Sequence, residues 1–93
     1  MPRTEHLNNI HPNRIYALDA QILYKHQTDK MTTAIIEQEN VQSKIKIPHT
    51  MIEGNEQDIV EEGCKYHFAF CYIGPNGWIS VRHPNRTITP IEN

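Results

Sequence analysis

Residues 66–72 alternate more strictly than any other part of the chain, with Tyr66, Phe68, Phe70 and Tyr72 on one parity and His67, Ala69 and Cys71 on the other. Side chains two apart share a face of an extended strand, whereas on a helix these four aromatics would scatter around the axis. The spacing therefore predicts a strand over 65–73. Gly74-Pro75-Asn76-Gly77 follows, with proline where a turn wants φ near −65° and Gly77 where φ must be positive. That is the chemistry of a type I turn with a glycine bulge, and it predicts a hairpin whose return strand covers 78–83. A three-residue loop would set Gly74 opposite Trp78, Tyr72 opposite Ser80 and Phe70 opposite Arg82. A two-residue loop would set Tyr72 opposite Ile79 and exchange the faces. The first register is favoured, because two-residue loops use primed turns that proline cannot adopt at their first position. The general burial of Phe and Tyr favours the core for the aromatic row, with a ligand platform as the competing reading.

The same period of two recurs upstream. In residues 15–26, Tyr16, Leu18, Ala20, Ile22 and Tyr24 share one parity, giving a uniformly apolar face. Leu18 and Ile22 are also four apart, so a helix competes, but two tyrosines at the ends of a clean alternation tip the segment to strand. Thr28-Asp29-Lys30 reads as a connection to a β-branched strand over 31–38, and Glu39-Asn40 as the next turn. Val41, Ser43, Ile45 and Ile47 then alternate with Gln42, Lys44 and Lys46, a half-buried strand with a basic outer face that Pro48 ends or marks as an edge. Residues 53–63 form an acidic connection, read as a loop or as one short helix near 55–62 with Asn55 as cap and Gly63 as left-handed stop. Five strands emerge, with the hairpin as the last two. Residues 1–14 show no period and read as an irregular N-terminal arm, leaving 15–93 as a single β domain.

Composition narrows the class. Ninety-three residues support one modest core. An apolar content of 38% with 22% charged residues fits a globular chain, no apolar run reaches membrane-spanning length, and the N-terminus lacks a signal-peptide core. Cys64 and Cys71 are seven apart on one strand, so they point to opposite faces and cannot bridge each other. They read as free, partly buried thiols, and the expected location is cytoplasmic. The net charge of −2 argues against a nucleic-acid binder, but Glu53, Glu56, Asp58, Glu61 and Glu62 hold much of the acid in one stretch, and the remainder is net basic. A solvated acidic loop is the simpler account of that run.

Candidate chemistry is sparse. The six histidines carry no metal-ligand spacing, no glycine-rich phosphate loop is present, and no metal or cofactor is expected. Cys71 with His67 on one face is a weak nucleophile–base pairing; a buried thiol near a surface imidazole is the simpler reading, and an enzyme is not expected. His-Pro-Asn-Arg occurs at 11–14 and again at 83–86; it is a good turn, and if the first and last strands paired it would bring Arg14 and Arg86 together.

Five antiparallel strands with a short acidic connection between the third and fourth resemble a small barrel of the oligonucleotide- and oligosaccharide-binding (OB) type. That resemblance implies single-strand binding through a basic groove and stacking aromatics, with Trp78, Tyr72, Phe70, Arg82, Lys44 and Lys46 as the residues concerned. Ser80, Arg14 and Arg86 complete the candidate binding set. The same aromatic and arginine-rich hairpin has the composition of an interaction hot spot, and absent catalytic machinery with near-neutral charge ranks a protein-interaction module first, of adaptor or inhibitor type, as in small viral or phage proteins. Both hairpin faces are apolar and one small core does not cover both, so a homodimer is expected. A single-stranded nucleic-acid binder ranks second.

Overall fold

The computed structural model describes residues 4–7, 14–28, 30–48, 60–82 and 87–91. Six strands form among the described residues: β1 (Tyr16–Gln27), β2 (Met31–Gln38), β3 (Val41–Pro48), β4 (Lys65–Ile73), β5 (Ile79–Val81) and β6 (Ile88–Ile91). β1 pairs with both β2 and β4, which closes the ring β1-β2-β3-β5-β4 into a five-stranded barrel. Every pairing between these strands is antiparallel except β3 with β5. β6 continues along the edge of β4 that β5 has left. Among the described residues no helix is long and apolar enough to cross a membrane.

Local sequence explains the turns. Glu39 and Asn40 both have positive φ, 49° and 68°, the conformation of a two-residue primed turn whose twist matches the flanking strands. At the second hairpin the amide of Gly77 donates to the Gly74 carbonyl (3.0 Å), the amide of Gly74 donates to the Trp78 carbonyl (2.8 Å), and Gly77 takes φ of 84°. The favoured register is the one formed: Tyr72 faces Ser80, and the Arg82 amide donates to the Phe70 carbonyl at 2.8 Å.

Two β-bulges decide which side chains enter the core. Ala17 of β1 faces both Ala69 and Phe70 of β4, because the pairs on either side are Leu18 with Phe68 and Tyr16 with Cys71. The extra residue reverses the parity of β4 beyond it. Tyr66 and Phe68 therefore point inward, at 7% and 0% exposure, while Phe70 and Tyr72 lie outside. The expected single aromatic face is thus split, half core and half surface. The same reversal carries Cys71 into the core, away from the side of His67, whose Nδ1 sits 2.5 Å from Asp19 Oδ1. In β1, Leu23 is the extra residue between the pairs Ile22–Ile36 and Tyr24–Ile35. Tyr24, expected on the apolar face with Tyr16, Leu18, Ala20 and Ile22, is turned out to solvent at 58% exposure. A strand of twelve residues that serves two neighbours around a closed barrel has to bend, and bulges are how strands bend.

The interior is filled by Leu18, Ile22, Ile36, Ile45, Ile47, Phe68, Ile79 and Val81, with Tyr16 and Tyr66 at its margins. Val60, at the end of the acidic connection, is also fully buried. Its carbonyl accepts from Lys25 Nζ at 2.7 Å, and beside it the Gly63 amide donates to the Ile22 carbonyl at 2.7 Å. Gly63 has φ of 85°, as expected of a left-handed position, but residues 60–62 are not helical, and 49–59 lie outside the described residues. Near the N-terminus, Thr4 bridges Ala17, and the Gln38 side chain accepts from the Leu7 amide and donates to the Asp19 carbonyl, both at 2.8 Å.

Two expectations change with this topology. The first and last strands lie on opposite edges of β4 and so do not pair; of the two His-Pro-Asn-Arg copies only Arg14 is described, and the expected meeting of Arg14 with Arg86 falls outside the described residues. The short β6, a strand interrupted by Pro90, was not expected from the sequence. The two cysteines are free, Cys64 exposed and Cys71 buried. Burial pushes the Cys71 thiol up to about 12, so it holds its proton at neutral pH. A thiol reagent at pH 8 will therefore label Cys64 rapidly and Cys71 only at the rate of unfolding; mass spectrometry of a time course checks this, and two equally fast sites would contradict it.

Candidate functional site

Once β1 has bulged at Leu23, its outward side chains fall into rows with those of β2 and β3. Tyr24 pairs with Ile35, and Ile35 with Lys44. Trp78 immediately precedes Ile79, the partner of Ile45, and Lys44 Nζ lies 4.8 Å from the centroid of its ring. An exposed tyrosine, a half-exposed isoleucine, a lysine and a tryptophan thus form one row across three strands and the entry to the fourth. The next row runs His26, Thr33, Lys46, Ser80 and Tyr72, each in register with the one before, across all five barrel strands. Two of these rows' aromatics therefore carry cations: Lys44 covers Trp78, and the Arg82 guanidinium lies 6.0 Å from the Tyr72 ring centroid.

The candidate residues named from the sequence divide accordingly. Lys44, Lys46 and Trp78 come together on the β2–β3 side. Phe70, Tyr72 and Arg82 lie on the outer side of β4 and its return, with Phe70 37% and Tyr72 39% exposed. Arg14 and Ile15, just before β1, line a shallow groove with Tyr72, Pro75 and Arg82. Ser80, expected on the open face, is only 7% exposed and marks a floor between the two groups. Tyr24, Ile35, His26 and Thr33 were missed, because a strict period of two assigns Tyr24 to the core and nothing local signals the bulge that moves it.

Charge is segregated. The grooves beside Trp78 and beside Tyr72 contain lysine or arginine and no carboxylate among the described residues. Glu5, Asp19, Glu37 and Glu39, with Lys65 and His6 among them, line a different groove, on the side where the N-terminal segment meets β1. Among the described residues, a chain of net charge −2 therefore presents a locally basic, aromatic surface. Flat rings with a cation beside each can stack planar groups and hold anions next to them.

No protein-family model and no curated protein matches the chain. Solved structures do. The second OB-fold domain of replication protein A from Methanococcus maripaludis matches with a TM-score of 0.67 at 15% identity, over 97% of this chain and 96% of that one. Schizosaccharomyces pombe Pot1pC bound to ssDNA matches with a TM-score of 0.64 at 12% identity, over 97% of this chain and 87% of that one. Strand order, the parallel closure of β3 on β5 and these likenesses together give the chain an OB fold.

Proposed function

We propose that this protein binds single-stranded nucleic acid across the outer face of β2 and β3. The observation that carries the reading is the in-register row Tyr24–Ile35–Lys44 ending on Trp78. It lies on the strand 2–3 face that OB barrels use for oligonucleotides, and one of the matching structures holds ssDNA. In this reading bases stack on Tyr24 and Trp78, Ile35 supplies an apolar floor, and Lys44 and Lys46 meet phosphates. Binding is non-catalytic, and recognition by stacking tolerates many sequences. The hairpin composition that by itself favours an adaptor or inhibitor weighs less, because the most exposed aromatic, Tyr24, lies outside the hairpin on the nucleic-acid row. The free thiols fit the cytoplasmic location expected from the sequence.

The test is a fluorescence titration with oligodeoxythymidylate at several salt concentrations. Affinity will fall as salt rises, and the double variant Lys44→Ala/Lys46→Ala will reduce the slope of log K against log salt by about 1.4, at ~0.7 for each phosphate contact on a single strand. Absence of binding at low salt, or a slope unchanged by the double variant, would remove the reading.

A further inference from the structure

We infer that Lys25 and Glu62 are positioning residues of this site: they hold the bulge at Leu23, and the bulge is what keeps Tyr24 on the binding face. The inference rests on the reading above for what Tyr24 does, and on the pairing of β1 for where Tyr24 stands. Two registers compete over residues 22–27. In an unbulged strand Ile22 pairs with Ile36, Leu23 with Ile35 and Tyr24 with Ala34. That sends the tyrosine inward beside Ala34, which is buried, and leaves Lys25 outside. It is also the arrangement that the alternation of the sequence favours. The structure instead has Tyr24 opposite Ile35 and Lys25 opposite Ala34. A lysine has taken an inward position from a tyrosine, and that exchange is costly unless the polar groups it brings in find partners.

The partners come from residues 60–64. β4 begins at Lys65, so beyond Ile22 the edge of β1 that faces away from β2 meets the connection and not a strand. The Ile22 amide donates to the Cys64 carbonyl (2.9 Å), and the Gly63 amide donates to the Ile22 carbonyl (2.7 Å). Past the bulge the Lys25 amide donates to Glu62 Oε2 at 2.9 Å, so a side-chain carboxylate stands where a neighbouring strand would offer a carbonyl. Lys25 Nζ donates to the carbonyl of the buried Val60 at 2.7 Å. Hydrogen bonds with one charged member are the stronger kind, and this one exists only while Lys25 points inward. The Glu61 amide, donating to the Tyr66 hydroxyl at 2.8 Å, fastens the same connection to the margin of the core.

The sign of the effect on binding separates positioning from charge. Removing a carboxylate beside a polyanion raises affinity on charge alone. Glu62→Ala will instead lower affinity for oligodeoxythymidylate about fivefold or more, the low end of what one stacked base contributes. Glu62→Gln removes the same charge but keeps an oxygen for the Lys25 amide, and it will bind at least as tightly as the wild type. In a Tyr24→Ala background Glu62→Ala will cost nothing further, whereas in a Trp78→Ala background its full cost will remain. Lys25→Ala will weaken binding without changing the slope of log K against log salt, since its ammonium group is held by Val60 and not by a phosphate. The place of Tyr24 is read without nucleic acid, by nitration with tetranitromethane and peptide mass spectrometry, with thermal melting as the check on folding. Nitration of Tyr24 relative to Tyr72 will fall in Glu62→Ala and Lys25→Ala and hold in Glu62→Gln. An unchanged ratio in the two alanine variants would overturn the inference and leave the β2–β3 reading standing. So would Glu62→Ala binding as tightly as Glu62→Gln, or a slope lowered by about 0.7 in Lys25→Ala, which would make that lysine a phosphate contact. If the ratio falls as expected but the wild type binds no oligonucleotide, the nucleic-acid reading is what fails, and the control of Tyr24 by Lys25 and Glu62 stands.

Discussion

Phe68→Ala will lose about 3–5 kcal/mol of folding stability, the usual cost of deleting a fully buried phenyl ring, whereas Phe70→Ala, two residues along the same strand, will lose about 1 kcal/mol or less, as surface positions do. Phe68 is completely enclosed and Phe70 is 37% exposed. On a regular strand the two rings would share a face and cost alike. The difference therefore measures the bulge at Ala69–Phe70 directly. Urea unfolding gives both numbers from one series. A domain of this size has about 5–15 kcal/mol to lose, so Phe68→Ala keeps a folded population in the absence of denaturant or sits close to the threshold. Equal losses at the two positions would mean that the aromatic row is continuous and that Phe70 and Tyr72 do not lie on the outer surface.

The hairpins were legible in the sequence because their causes are local. Proline at 75 and glycine at 77 dictate a loop that fixes the pairing of Tyr72 with Ser80, and Glu39-Asn40 is short enough that few other turns fit. The alternation in β3 likewise survives intact, with Ile45 and Ile47 inside and Lys44 and Lys46 on the outer face. What sequence could not supply are the consequences of closure. The bulges at Leu23 and at Ala69–Phe70 answer the need of β1 and β4 to wrap around a barrel. That need arises from partners distant along the chain, so no window around either residue contains it. Each bulge moves a tyrosine, Tyr24 or Tyr72, from the expected core to the surface. β6 fails for a different reason: four residues with a proline carry too little pattern, and the strand exists because β4 has an edge free beyond β5.

Trp78→Ala and Tyr24→Ala will each weaken single-strand binding by about 1–3 kcal/mol, the worth of one base stacked on an aromatic ring, and the double variant will lose close to the sum. Tyr24 and Trp78 stand at the two ends of the row, separated by Ile35 and Lys44. Three strand spacings of about 4.8 Å put them roughly 14 Å apart, beyond the distance at which substitutions usually couple. Folding will survive at position 24, since the ring is 58% exposed and leaves no cavity. At 78 the loss includes the contact with Lys44, so Trp78→Phe, which keeps a ring under the ammonium group, should recover most of the binding while Trp78→Leu should not. Tyr24→Phe serves the same purpose at the other end. Titration of the five single variants with one oligodeoxythymidylate at fixed salt separates the cases. If Trp78→Ala weakens binding but Tyr24→Ala does not, the strand does not cross β2 and β3 along this row, and the bulge at Leu23 exposes a tyrosine for some other purpose.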